Sequence, residues 1–523
     1  MSGHLDAVAA DRDRHATHSA RAVFVVAFVL LFVAIGTWSL ATPLFAAPDE
    51  PVNVIKAAAV VRGELVGELT GGSTSPMGVV TVPAFYAGTR NVPACYHRQP
   101  TIPASCAPAV AGGSAPEPVK IYTARYPPLY YSIVGLPSLL GSGDAEVYLM
   151  RLVSAALSAF FVALAVTTAV RWSRSRIIVA GIAVATTPMV LFLGGVVNPA
   201  GLEVSAAIAV WTAGAVLVLD HLADPPPALV ATLAGSTCVL ELVRALSPFW
   251  VALTAVALLS LTSRAELRRL VRKRSVTVAL AAVVVVGALA SAWIFAERSY
   301  DVYSTTVVPM GVPESTILEY SFLHNDYYLP DMVGVFGWFD TYAPTFTYVV
   351  WYGLVGFVTL AAAVVGRLRD ALTLLVLAVA IVVVPVAIST SQVHRYGYTW
   401  AGKDTLPFAV GLPILAAALI GRSNMAAHSR RLVGVVVLAT FFAQAAAFYE
   451  MLRRYAVGTR GPDFGFLAHA AWRPPTGLVS VLVVELAALS ASSVLAYAMV
   501  RSSRAGASGD ASDMPPRAGR ELA

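Results

Sequence analysis

Long apolar runs dominate the chain, separated by short basic turns and by a few longer polar stretches. The first, Ala20 to Leu40, is almost uncharged and long enough as a helix to cross the ~30 Å hydrocarbon core of a bilayer. Comparable runs follow at about Glu146–Val170, Ile177–Leu193 and Gly201–Leu219, then as two shorter runs between Pro225 and Ser263, split near Glu241 to Pro248. The series continues at about Val276–Phe295, Thr347–Val365, Ala371–Ile388, Leu406–Ile420, Val433–Phe448 and Leu478–Val500. The pattern predicts an all-α polytopic membrane protein of about twelve transmembrane helices within residues 20–500. The polar tails, 1–19 and 501–523, are expected to be disordered.

Arginine placement orients these runs. Arg12, Arg14 and Arg21 flank the first, and basic turns recur at Arg171/Arg174/Arg176, at Arg367/Arg369 and at Arg422/Arg430/Arg431. The segment Arg264 to Arg274 alone holds six basic residues. Excess Lys and Arg marks cytoplasmic loops, so both termini are expected inside a plasma (inner) membrane. Every large loop then falls outside: about 42–145, the Asn198 turn, the Glu241–Pro248 turn, about 297–346, His394 to Asp404, and Arg453 to Pro474. The first is expected to hold a helix over Val52 to Glu68, a Gly/Pro/Ser-rich middle, and an apolar stretch, Ile133 to Leu140, at the membrane surface. Structureless loops of such length are usually functional. A channel has no need of so much polar and aromatic chain on one face, whereas an enzyme acting on lipid-linked material does.

Composition excludes other classes. With 57% hydrophobic and 13% charged residues among 523, no ordinary soluble domain fits. The net charge of +6 reflects loop asymmetry, because no Lys/Arg stripe on a soluble domain exists to bind nucleic acid. Of 36 basic residues only four are lysines, at 56, 120, 273 and 403, which together with abundant Ala and Val hints at a GC-rich bacterial genome. Cys238 lies in an apolar run and reads as inert packing, while Cys95 and Cys106 bracket a Pro-containing segment and are candidates for a disulfide outside the cytoplasm. The first run is too long for a signal-peptide core and is read as a retained span.

Transfer from a polyprenyl-phosphate sugar needs cations for a phosphate at the membrane boundary, a carboxylate base for the acceptor hydroxyl, and rings to pack on sugar faces. The external face supplies all three. Asp49 and Glu50, set between Pro48 and Pro51 just past the first span, are the base candidates, and the prolines are expected to hold that corner extended. Adjacent carboxylates can divide roles, one as base and one on a sugar hydroxyl or a divalent cation; no cofactor is certain, and a divalent cation is possible. Arg151, early in the second span, and Arg244, three residues after Glu241, are candidate phosphate ligands; pairing with Glu146 or Asp144, and with Glu241, are the structural alternatives. The turn 392–404 adds His394, Arg395 and Lys403 as phosphate ligands and Trp400 as a sugar contact, set against ordinary anchoring of span ends. Tyr126, Tyr130 and Tyr131 are read either as a sugar or lipid groove or as an interfacial belt, and His324, Asp326 and Asp331 as a solvated loop, metal binding being the alternative that their spacing disfavours.

Several pieces in order resemble the bacterial multi-pass membrane family DUF2142: Pro48-Asp49-Glu50-Pro51 with Arg62-Gly63, Tyr126-Pro127-Pro128-Leu129-Tyr130-Tyr131, and Arg151 with Ser154. Val197-Asn198-Pro199, Arg244 with Pro248, Phe336-Gly337-Trp338-Phe339-Asp340, and Gly402-Lys403 before Leu406-Pro407 continue the series. That family resembles the GT-C glycosyltransferases, whose first outer loop carries a catalytic acid. The resemblance implies a GT-C-like fold, Asp49 as general base with Glu50 beside it, and substrate contacts at Asn198, Trp338 and Asp340. It implies a polyprenyl-phosphate sugar donor, and a cell-envelope glycan or glycolipid as acceptor. The sequence departs from the pattern where Gln-Gly-Arg-Tyr is expected, since Ala401-Gly402-Lys403-Asp404 keeps the charge but not the bidentate fork. A transporter or flippase of a lipid-linked saccharide and a non-catalytic assembly subunit are the alternatives; few charges within span centres and no repeat between halves disfavour the first.

Overall fold

The computed structural model describes residues 2–69, 77–220, 222, 224–301, 307–423 and 429–502. The tail beyond 502 lies outside the described residues. Helix α1 (Ser2–Ala41) carries the first apolar run and extends back through the stretch expected to be a disordered tail. It ends where Thr42-Pro43 cannot continue a helix.

The corner expected to be extended is instead a turn. Asp49 sits in the left-handed region (φ 63°, ψ −1°), and Glu50 opens α2 (Glu50–Val60) with Pro51 in the first turn, where a missing N–H is harmless. This helix stops short of the expected Glu68, because Gly63 (φ 94°) reverses the chain after it. The first large loop then folds a small antiparallel sheet, β1 (Glu68–Leu69), β2 (Gly78–Pro83) and β3 (Pro116–Ile121), with Val80 opposite Val119. A disulfide joins Cys95 to Cys106 beside it.

The second span is α3 (Asp144–Trp172). The third is broken into α4 (Ile178–Ala185) and α5 (Pro188–Gly194). Pro188 forces the break, the Thr187 hydroxyl caps the new helix by accepting the Val190 N–H, and Gln444 donates to the freed Thr186 carbonyl at 2.8 Å. Next come α6 (Pro199–Leu219), buried along almost its whole length, and the shorter α7 (Pro227–Glu241) and α8 (Ser247–Ser260). They are followed by α9 (Arg274–Ala296), α10 (Asn325–Gly334), a hairpin of β4 (Val335–Phe336) and β5 (Thr341–Tyr342), α11 (Thr345–Val365) and α12 (Leu368–Tyr396). The chain closes with α13 (Gly402–Ala409) running into α14 (Gly411–Gly421), α15 (Ser429–Val457) and α16 (Leu478–Ser502).

The protein is all-α and polytopic. Among the described residues nine helices are long and apolar enough to cross a membrane; the other three expected spans are the broken α4–α5 pair and the short α7 and α8. Helix α6 forms the axis, packed on α3, α7 and α14, with Trp211 fully buried and its Nε1 donating to the Pro407 carbonyl at 3.1 Å. The basic turns gather at one end, where the Arg174 N–H donates to Asp220 and Arg369 to the Thr262 carbonyl. The long loops gather at the other.

Close packing at the axis leaves no room for growth. A Cβ on Gly411 would lie 2.2 Å from the Trp211 ring, whereas one on Gly353 would meet nothing within 4 Å. Gly411→Ala is expected to lower stability by about 1–3 kcal/mol, and Gly353→Ala to leave it within about 1 kcal/mol. Thermal unfolding of the two variants in detergent checks the contrast.

Candidate functional site

The acidic corner is built from a buried ion pair outward. Glu50 and Arg151 are both fully buried, and Arg151 grips the carboxylate with two N–H groups, Nε to Oε1 at 2.7 Å and Nη2 to Oε2 at 2.6 Å. Its remaining three N–H groups donate to the carbonyls of Ser39, Thr42 and Pro43, and the Val197 N–H also donates to Glu50. All five guanidinium donors are therefore committed to protein acceptors. Neither a phosphate at Arg151 nor catalysis by Glu50 fits this closed arrangement, and Arg151 pairs with neither Glu146 nor Asp144. A divalent cation shared by the adjacent acids does not fit either, because both Glu50 oxygens are committed. Asn198 completes the clamp by capping α6 at the Ala200 N–H and donating to the Pro48 carbonyl at 3.0 Å, a structural duty rather than a sugar contact.

This clamp presents Asp49 the other way. Its carboxylate is 37% exposed and accepts from Lys403 Nζ at Oδ2 (2.7 Å) and from the Tyr122 hydroxyl at Oδ1 (2.7 Å). Burial alone raises a carboxyl, but the Lys403 charge and the two hydrogen bonds outweigh it and hold Asp49 below its ordinary value. The group is thus ionised at neutral pH.

Lys403 lies in the first turn of α13, with its ammonium 5.4 Å from the centre of the Phe339 ring. Helix α10 crosses this helix start so closely that a Cβ on Gly402 would meet the Tyr328 carbonyl oxygen at 2.2 Å. From α10, Asp331 Oδ2 accepts the Gly402 N–H at 2.6 Å and the Lys403 N–H at 3.4 Å, while its Oδ1 is buried without a partner. Asp331 is therefore a buried helix cap and not part of a solvated loop. Burial, opposed by Lys403 and the backbone bonds, pushes its carboxyl up to about 7. Beside Lys403, Asp404 binds Arg244 Nη2 at 2.7 Å, and Arg244 Nη1 binds the fully buried Glu203 at 2.8 Å. Arg244 thus turns away from the Glu241 expected as its partner and is held between two carboxylates.

The other expected residues disperse. Tyr130 and Tyr131 are fully buried, bonded to Ser154 and Asn53, and line no groove, while Tyr126 is half-buried and electrostatically coupled to Asp49. Trp400 is buried against Trp250 and donates to Thr405. Trp338 packs edge-on against His97, and Asp340 pairs with the fully buried Arg454, which also donates to the Tyr96 and Ile102 carbonyls and so ties the disulfide loop to the β4–β5 hairpin. His394 contacts the Val308 carbonyl, and Arg395 pairs with Asp301 in a neighbouring cluster. Among the described residues no group of three His, Cys, Asp or Glu side chains is arranged to hold a metal ion. Sequence reasoning missed Tyr122, Glu203, Asp331 and Asp404 as members of the site. Glu203, a carboxylate inside an apolar run, was the one with a signal.

The family model for predicted membrane proteins, DUF2142, matches residues 30–402, from the first span to the start of α13. The chain belongs to the DUF2142 family. This DUF2142 chain matches no curated protein. Its fold is similar to the crystal structure of ArnT from Cupriavidus metallidurans in the apo state, at 15% identity and a TM-score of 0.42 over 94% of this chain and 81% of that one. The same protein bound to undecaprenyl phosphate matches at 14% identity and a TM-score of 0.40 with equal coverage.

Two predictions follow the geometry. Arg151→Lys cannot reproduce a fork that serves five acceptors, so it leaves Glu50 under-paired and is expected to cost roughly 3–5 kcal/mol of stability; loss of monodisperse protein in detergent is the readout. Asp331 binds its proton more tightly folded than unfolded, because its carboxyl stands at about 7 instead of the ordinary 3.8. Its contribution to stability is complete below the unfolded value and is lost as pH rises through the folded one. Asp331→Asn keeps an acceptor for the Gly402 N–H without the charge. Its melting temperature is expected to rise relative to the parent between pH 4.5 and pH 8, by an amount on the order of 1–4 kcal/mol in stability.

Proposed function

We propose that this DUF2142 protein is a membrane glycosyltransferase that moves a sugar from a polyprenyl-phosphate donor to a cell-envelope glycan or glycolipid. The reaction takes place at the loop-bearing end, which the positive-inside rule puts outside the cytoplasm. The observation that carries this reading is the Asp49 carboxylate. It is ionised, open to solvent, fixed in a left-handed turn one short segment past a span, and flanked by a lysine at the start of another span. A carboxylate so placed can take the proton of an acceptor hydroxyl while a lipid-borne donor reaches it from the membrane.

In this mechanism the acceptor oxygen attacks the anomeric carbon as its proton passes to Asp49. The bond from that carbon to the phosphate oxygen breaks, and the polyprenyl phosphate leaves carrying the electron pair. Lys403 orients Asp49 through a single bond at rest and faces the charge that develops on the departing oxygen. The Tyr122 hydroxyl fixes the other carboxylate oxygen, leaving the remaining lone pairs of Asp49 for the acceptor. Arg151, Arg244, Glu50 and Asn198 hold the frame.

Asp49→Asn keeps the size of the side chain and an acceptor for Tyr122, so folding and donor binding are expected to persist. Transfer should fall by about 10²–10⁴-fold. The measurement is incorporation of label from a polyprenyl-phosphate sugar by membranes containing parent or variant protein. Turnover equal to the parent's would remove Asp49 as the base.

A further inference from the structure

Beside the Asp49 site lies a second charged cluster with the opposite balance. Asp301, fully buried, pairs with the three guanidinium groups of Arg125, Arg298 and Arg395. Arg395 Nη2 donates to Oδ1 at 2.9 Å, Tyr396 donates to the same oxygen, and Arg298 Nε lies 3.0 Å from Oδ2. Arg125 is the telling member. Its side chain is 4% exposed, its Nη1 stands 3.7 Å from Asp301 Oδ2, beyond hydrogen-bond reach, and its Nε is buried with no acceptor. A guanidinium removed from water with a donor left unmet is costly, and a further anion relieves it. The next carboxylate in the chain, Glu297, acts instead on the buried ammonium of Lys56, together with Glu64. At the first site Lys403 and Arg244 stand among four carboxylates, Asp49, Glu203, Asp331 and Asp404, whereas at the second Arg125, Arg298 and Arg395 gather on Asp301.

Position supplies the rest. Arg298 stands two residues past the end of α9, and Arg395 lies in the last turn of α12, both at the loop-bearing ends of apolar spans and so at the depth of lipid headgroups. Arg395 is 52% exposed and Arg298 29%, which opens the cluster toward that boundary. We infer that Arg125, Arg298 and Arg395 around Asp301 form a phosphate-binding subsite, distinct from the Lys403–Asp49 pair, that takes the phosphate of a membrane lipid. The inference does not rest on the transferase reading, because lipid phosphate would be held there whatever is done with it.

The test is equilibrium binding of a radiolabelled polyprenyl phosphate to the full-length protein in detergent. Arg395→Gln changes an exposed side chain and is the fold-safe variant; Arg125→Gln removes the under-satisfied guanidinium but leaves Asp301 two partners. Both are expected to weaken binding about tenfold or more, and by more than Lys403→Met does. Competition arms identify the source. Displacement by millimolar inorganic phosphate shows that the bare oxyanion is read, and displacement by phosphatidylglycerol vesicles alone shows a preference for lipid-borne phosphate. Equal binding by the parent, Arg395→Gln and Arg125→Gln, or weakening confined to Lys403→Met, would overturn the subsite. No turnover is measured, so an inert Asp49 would leave the result intact, and loss of this subsite would leave the assay of Asp49→Asn to stand by itself.

Discussion

One buried ion pair organises the loop-bearing end. Taking Glu50 and Arg151 out of water costs several kcal/mol per ion, and their attraction offsets this only if every remaining donor and acceptor is met. Here it is met by the carbonyls that end α1 and by the N–H that precedes α6. The end of one span, the start of α2, the second span and the entry to the bundle axis thereby converge on a single guanidinium. The two adjacent acids divide because of this. With Glu50 pinned inward, the left-handed turn at Asp49 points its carboxylate outward, and a residue in that backbone region is held there only when its surroundings over-determine it.

Charge is then distributed unevenly along a short stretch of chain. Tyr122 reaches Asp49, the Ala124 carbonyl accepts from Lys56, and Arg125 turns to Asp301, all within four residues. The first of these contacts belongs to a region rich in carboxylates and the last to one rich in cations. On the proposed reading, the second region would draw a lipid phosphate and the first would serve an acceptor hydroxyl. Separating the two would limit direct quenching of a base at Asp49 by those cations.

The spans were legible in the sequence because length and hydropathy decide them, and the basic turns fixed which ends gather. Where tertiary bonds replace local ones, the pattern misled. The break at Thr186-Thr187-Pro188 is stable because Gln444, far along the chain, meets the exposed carbonyl, and no local signal announces that donor. Asp49 and Lys403 stood out through rarity, a left-over acid pair and one of four lysines, and they do meet. Their frame did not stand out. Arg244 passes over Glu241, its neighbour in sequence, for Glu203 and Asp404, because the turn between α7 and α8 carries it toward α6 and α13. Tyrosines that read as a groove are buried, since Ser154 and Asn53 satisfy their hydroxyls inside.

The choice of lysine at 403 fits this division. Where a cation must be fixed for good, the chain uses arginine: Arg151 and Arg454 are fully buried and each spreads its planar fork over carboxylate and several carbonyls. Lys403 has one side-chain hydrogen bond, to Asp49, and an aromatic face nearby. An ammonium on a flexible stem exchanges one oxygen partner for another with little geometric loss, which a bidentate fork does not. A base held by such a cation is depressed while the pair is closed and becomes more basic when the lysine turns to a new negative charge. The arginine that the family pattern leads one to expect would bind the carboxylate more firmly and release it less readily, so the departure from that pattern would bear on how a base at Asp49 is freed.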